Sequence, residues 1–295
     1  MTTTIAMVKR NMKLYLRDKT SVFFSMLTIL IIIALNICFL SKTNIDSLND
    51  MLPGRSAEAK SLIYALVFAG ISYTATVTVP LGVLSTMVSD QDHFKMKAFF
   101  TSPASRISFV LGYLGSTILA GITLSFLTFF LSLILLYVLC GVTLSISTVT
   151  LILGYLIINV LCNSCLVFFM TSFIKTQGSY TALNIIVGTL IGFLSGIYLP
   201  IGMLPKAVQS VLRVLPSMHG STLLRSAFSK DLTADFFHGA DASIIADYKN
   251  YMGITISING HTLTNTALFL ILTISGILFL IGSVIITEKK HASDR

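Results

Sequence analysis

The sequence predicts an all-α integral membrane protein with six transmembrane helices, an N-terminal amphipathic interfacial helix and a re-entrant helical hairpin between spans five and six. Three observations predict it. Of 295 residues, 54% are hydrophobic and only 11% charged, where soluble domains carry about 25% charged residues. Six segments are apolar over the roughly 20 residues that a helix needs to cross a bilayer: 22–40, 62–88, 107–139, 148–174, 180–198 and 263–287. No Asp, Glu, Lys or Arg occurs between Arg106 and Lys175, which leaves room for two full spans.

The N-terminal segment, 1–20, places Ile5, Val8, Met12, Tyr15 and Leu16 on one helical face and Lys9, Arg10, Lys13 and Arg17 on another. Such a helix lies in the interface plane, with its cations at anionic lipid headgroups. The first span reads as a true span rather than a cleavable leader, because its apolar stretch is longer and no Ala-x-Ala-like site follows it.

Orientation follows from the basic residues in the loops. With the N-terminus inside, inner segments carry twelve Lys and Arg and the short outer loops carry three, Lys42, Arg55 and Lys60. Both termini are then cytoplasmic. The net charge of +8 lies along the inner membrane face, which argues against nucleic acid as a partner.

The second span offers Tyr73 and Thr76, the fourth Asn159 and Asn163, and the fifth Asn184, as uncharged groups that line a path or bond neighbouring helices. Cys162 and Cys165 have a CxxC-like spacing, but no second pair completes a metal site. We read them as small apolar residues in a helix. In the fifth span Gly188, Gly192 and Gly196 repeat every four residues, a pattern that lets another helix approach closely, within the chain or across a dimer.

Several chemistries are excluded. There is no G-x-x-x-x-G-K-[ST] for binding ATP, no H-E-x-x-H and no G-x-S-x-G. The spans carry no carboxylate or base of the kind that ion-coupled transporters use at membrane depth. An energy source outside this chain is therefore expected; the alternative is a secondary transporter for a hydrophobic compound.

Between spans two and three lies "DQDHFKMKAFFTSPASR", residues 90–106. Ser89-x-x-Asp92 looks like a capping box that starts a short helix, and Thr-Ser-Pro at 101–103 ends it. Phe94, Met96, Phe99 and Phe100 are too many apolar groups for so short a helix to bury. They fit either a groove on a partner or the inner leaflet.

After the fifth span, Gly196, Tyr198, Leu199 and Pro200 are followed by Met203, Leu204 and Pro205, then Pro216, then Leu223, Leu224 and Arg225. Pro205 suits the first turn of a helix, Pro216 closes it, and a second short helix runs from Ser217 to about Phe228. Two short half-apolar helices are expected to form the re-entrant hairpin. In 227–262, Asn259-Gly260 favours a tight hairpin turn.

This "LP…MLP…P…LLR" pattern resembles the C-terminal signature of ABC-2 type transporter permeases, and the six spans and basic N-terminal helix are similar to that family as well. The resemblance implies a single permease domain over 1–295, with 89–106 as a cytoplasmic coupling loop and 199–262 as re-entrant helices and extracellular loop. It implies no enzyme activity and no cofactor in this chain, with ATP and Mg on a partner ATPase subunit. It implies a second permease, a copy or a paralogue, and export across the plasma membrane; the weakly polar path expected between two copies suits an amphipathic or lipid-like substrate. Asp92, Phe94, Met96, Phe99 and Phe100 become the residues expected to meet the ATPase. Pro200, Pro205, Pro216 and Arg225 become the re-entrant motif. At Asp92-His93-Phe94-Lys95-Met96-Lys97 the family's acid is kept, while its arginine and glycine are not.

Overall fold

A computed structural model describes residues 2–36, 41–93, 106–258 and 261–293. Eleven helices are defined among the described residues. They are α1 (Thr2–Arg17), α2 (Lys19–Leu35), α3 (Ser41–Met51), α4 (Ser56–Asp92), α5 (Arg106–Cys140), α6 (Ile146–Thr171), α7 (Gln177–Leu194), α8 (Lys206–Val214), α9 (Pro216–Phe236), α10 (Ala242–Met252) and α11 (Asn265–Ser293). A single 3-10 turn, Ile201–Met203, precedes α8. Two two-residue strands, β1 (Ser257–Ile258) and β2 (His261–Thr262), pair antiparallel where the sequence predicts a hairpin.

Five of the helices are long and apolar enough to cross a membrane by length and composition: Ser56–Asp92, Ile107–Cys140, Ile146–Thr171, Gln177–Leu194 and Asn265–Ile286. The protein is therefore an all-α, multi-pass membrane protein. The segment expected as the first span is a 17-residue helix, α2, and residues 37–40 lie outside the described residues.

Helix α4 is the axis of the fold. It is buried almost all round and packs on α5, α6, α7, α9 and the shorter α1, α2 and α3. By contrast, α7 and α11 are mostly open along their apolar windows, as expected of helices that face lipid. Helix starts follow their caps. Ser145 accepts from Thr148 N at 3.3 Å to begin α6, and Thr176 accepts from Ser179 N at 3.3 Å to begin α7. Gly253, at φ 69°, ends α10 in the left-handed conformation that glycine adopts freely.

Several expectations are corrected. Ser89 is no helix start: it lies in the last turn of α4, and its carbonyl accepts from His93 N at 3.1 Å. A capping box needs a non-helical residue in front of it, and here the preceding residues are already helical. The second limb after α8 is not short. Helix α9 has 21 residues, because no Gly or Pro interrupts the chain between Gly220 and Gly239. Helices α3 and α10 occupy stretches that the sequence left as loops. The single apolar face expected for α1 is divided in two. Met7, Asn11 and Tyr15 are buried, while Ile5 and Leu16 stay exposed beside Lys9, Lys13 and Arg17.

Candidate functional site: polar clasps at the two ends of the bundle

At the C-terminal end of α4, Asp90 is buried and paired in two bonds with Arg10 of α1. Arg10 Nη1 donates to Asp90 Oδ2 at 2.7 Å and Nη2 to Oδ1 at 2.9 Å. The Tyr113 hydroxyl of α5 donates to the same Oδ2 at 2.8 Å. Two parallel bonds fix direction as well as distance. The hydrogen bond to Asp90 raises the Arg10 guanidinium above its ordinary value, against the opposing effect of burial.

Helix α1 comes close enough for this pair because the surface beneath it is glycine. A Cβ at Gly112 would meet Met7 Cβ at 2.5 Å, and one at Gly115 would lie 3.0 Å from Val8 Cγ2. On α4, a Cβ at Gly82 would lie 3.3 Å from Tyr15 Cε2.

Asp92 is expected to meet a partner; the structure places its Oδ2 3.2 Å from Gln177 N, at the first turn of α7. An acid there is favoured by the unpaired N–H groups and the helix dipole. Phe94, Met96, Phe99 and Phe100 lie outside the described residues.

At the other end, cations meet the C-terminal ends of helices, where free carbonyls and the dipole favour positive charge. Arg55 donates to Phe236 O at 2.5 Å and His238 O at 2.9 Å, closing α9. Lys60 Nζ donates to Leu139 O at 2.9 Å, closing α5. Arg225, fully buried, donates through Nη1 to Met252 O at 2.5 Å, at the end of α10, and through Nη2 to Ser195 O, at the end of α7. Two neighbours on α9 complete the clasp. Ser221 Oγ donates to Leu194 O at 3.0 Å and Thr222 Oγ1 to Gly253 O at 3.1 Å.

The prolines expected in the re-entrant motif stand at the starts of the elements that follow α7. Pro200 opens the 3-10 turn, Pro205 precedes α8, and Pro216 stands in the first turn of α9. Gly202 lies against Tyr251 of α10, with no space for a side chain.

The three glycines of the fifth span have separate surroundings. Gly188 has open space around it, Gly192 is covered by Tyr198 of its own chain, and Gly196 lies beyond the end of α7 at φ 58° against Arg225. They do not form one continuous face, because the helix that would align them stops at Leu194.

Tyr73, Thr76, Asn159 and Asn163 are buried between α4, α6 and α9. Asn163 Nδ2 donates to Thr76 Oγ1 at 2.9 Å, and Asn159 Nδ2 to Tyr155 O at 2.8 Å and Gly220 O at 3.3 Å. Thr76, Asn159 and Asn163 thus bond helix to helix within the chain, and Tyr73 packs among them. Asn184 on α7 is half-exposed. Cys162 packs α6 on α11, its Sγ 3.6 Å from Ser275 Oγ.

Sequence reasoning missed Arg10, Asp90 and Tyr113 as a group. The available signal was an acid next to the end of a span facing a basic helix; nothing local pairs residues so far apart in the chain. No curated protein matches the chain. Residues 2–229 match the ABC-2 type transporter family. That stretch holds the Arg10–Asp90–Tyr113 cluster, Arg225 itself and every helix from α1 to the first two-thirds of α9, and the chain, a membrane transport permease, belongs to the ABC-2 type transporter family.

Proposed function

We propose that the chain is the permease subunit of an ATP-driven exporter that moves an amphipathic or lipid-like substrate across the plasma membrane. The family match over residues 2–229 carries this reading. The family pairs such a permease with a second permease and an ABC ATPase subunit, and this chain has no phosphate-binding G-x-x-x-x-G-K-[ST] of its own. ATP and Mg then belong to the ATPase partner.

In this reading α2 is the first of the six spans. Its 17 residues reach about 26 Å at 1.5 Å per residue, close to the roughly 30 Å hydrocarbon core. The Asp90 end is cytoplasmic, as the basic residues of the inner loops require. Helix α1 lies in the inner interface, with Ile5 and Leu16 toward lipid and Lys9, Lys13 and Arg17 toward headgroups. Helices α8 and α9 form the outer re-entrant hairpin. The coupling segment of this reading is 89–106, with Phe94, Met96, Phe99 and Phe100 as its apolar contacts to the ATPase. Gly188 is the fifth-span glycine left for a second permease, and Asn184 the polar group left for a path between copies.

The test is affinity purification of the chain from its native membranes in mild detergent. A stoichiometric subunit bearing a Walker A motif, lost when Phe99 and Phe100 are changed to Ala, is the expected result. A chain that purifies alone under conditions known to preserve such complexes would overturn the reading.

A further inference from the structure

We propose that Arg10, Asp90, Tyr113 and Asp92 form a positioning junction that holds α1, α5 and α7 to the last turn of α4, so that a displacement of that turn moves all four helices together. The inference rests on the permease reading, in which force from the ATPase enters through the segment that follows α4.

The geometry is that of a joint gripped from two sides. Successive helical residues are about 100° apart, so Asp90 and Asp92 point to roughly opposite sides of the last turn. Asp90 reaches α1 and α5, through Arg10 and the Tyr113 hydroxyl. Asp92 reaches the first turn of α7. His93 follows at once, with its Nδ1 2.8 Å from Ser89 O, and the chain then continues into residues 94–105.

Stability alone does not explain the pair. The Asp90 side chain is 4% exposed and that of Arg10 30%. A partly buried ion pair is weak support for a fold, since apolar side chains of similar size would pack as well. A two-bond pair supplies a fixed direction between α1 and α4. Helix α1 is also seated closely on Gly112 and Gly115 of α5 and Gly82 of α4, so it follows its neighbours as a rigid body.

The experiment uses the full chain with its co-purified ATPase subunit in lipid nanodiscs. It measures subunit affinity, melting temperature of the permease and ATP turnover relative to the free ATPase subunit. Asp90→Asn and Arg10→Gln are expected to leave affinity near wild type, to lower the melting temperature because each strands one charge of the pair, and, measured well below that melting temperature, to lower permease-stimulated turnover about tenfold. The charge reversal Arg10→Asp with Asp90→Arg, in which the Tyr113 hydroxyl accepts instead of donating, is expected to restore turnover to within about twofold. Tyr113→Phe removes one hydrogen bond and is expected to lower turnover about threefold to fivefold; it carries the test if Asp90→Asn fails to fold. Wild-type turnover in Asp90→Asn with the ATPase bound, or in Tyr113→Phe where Asp90→Asn does not fold, overturns the junction and leaves the permease reading intact. So does a folded charge reversal that restores nothing. Absence of any ATPase from the wild-type preparation overturns both.

Discussion

The guanidinium of Arg225 occupies the space in which a side chain at position 196 would stand. Gly196 also sits at φ 58°, the left-handed region that costs other residues roughly 1–2 kcal/mol. Backbone conformation and side-chain packing therefore impose the same residue independently. Gly196→Ala is expected to lower stability by about 3 kcal/mol, read as a fall in melting temperature of the purified chain. A variant as stable as wild type would show that Arg225 has a second resting place.

Arg225 is a buried cation that two helix ends share. A lysine has one donor centre and cannot span Met252 O and Ser195 O as the guanidinium fork does. Arg225→Lys is expected to cost about 2 kcal/mol and Arg225→Met about 4 kcal/mol. Hydrogen exchange should localise the loss to the ends of α7 and α10. Uniform loss over the whole bundle would contradict a local clasp.

The glycines of α7 separate packing from surface. Gly188 has open space around it and Gly192 is filled by Tyr198. In a helix interior, Gly→Ala gains up to about 1 kcal/mol where nothing collides. Gly188→Ala is expected to be neutral or stabilising in the isolated subunit, while Gly192→Ala is destabilising by about 2 kcal/mol and partly rescued by Tyr198→Ala. If Gly188→Leu keeps the subunit folded but abolishes pairing of two permeases in cross-linking, the open side of α7 is the seam.

Five of the six expected spans were legible as long apolar helices, because bilayer crossing needs only length and apolarity, and both are local properties of sequence. Helices α4, α5, α6 and α11 fall within a few residues of the expected bounds at most of their ends; α4 and α11 run six residues further at one end. The polar ends were not legible for the same reason in reverse. Arg10 and Asp90 are 80 positions apart, and nothing near either one names the other. Ser89-x-x-Asp92 and the Gly-x-x-x-Gly repeat are local patterns whose meaning depends on where a helix begins or stops. Helix α4 runs on past Ser89, and α7 stops before Gly196. Arg225 was singled out by motif, but its partners are backbone carbonyls, which carry no sequence signature.

The asparagines of α6 test whether polar groups in the bundle line a path or join helices. Asn163 is buried and donates to Thr76 on α4. Interhelical hydrogen bonds in membranes average about 0.6 kcal/mol and reach about 1.7. Asn163→Leu is therefore expected to lower the melting temperature by an amount equivalent to about 1 kcal/mol, and to leave basal ATP turnover of the assembled complex unchanged. Asn184, half-exposed on α7, is expected to behave oppositely. Asn184→Leu should leave the melting temperature of the isolated subunit alone and change how amphipathic compounds stimulate turnover. The reverse pattern, with Asn163 altering compound response at constant stability, would place the path inside one subunit and not between two.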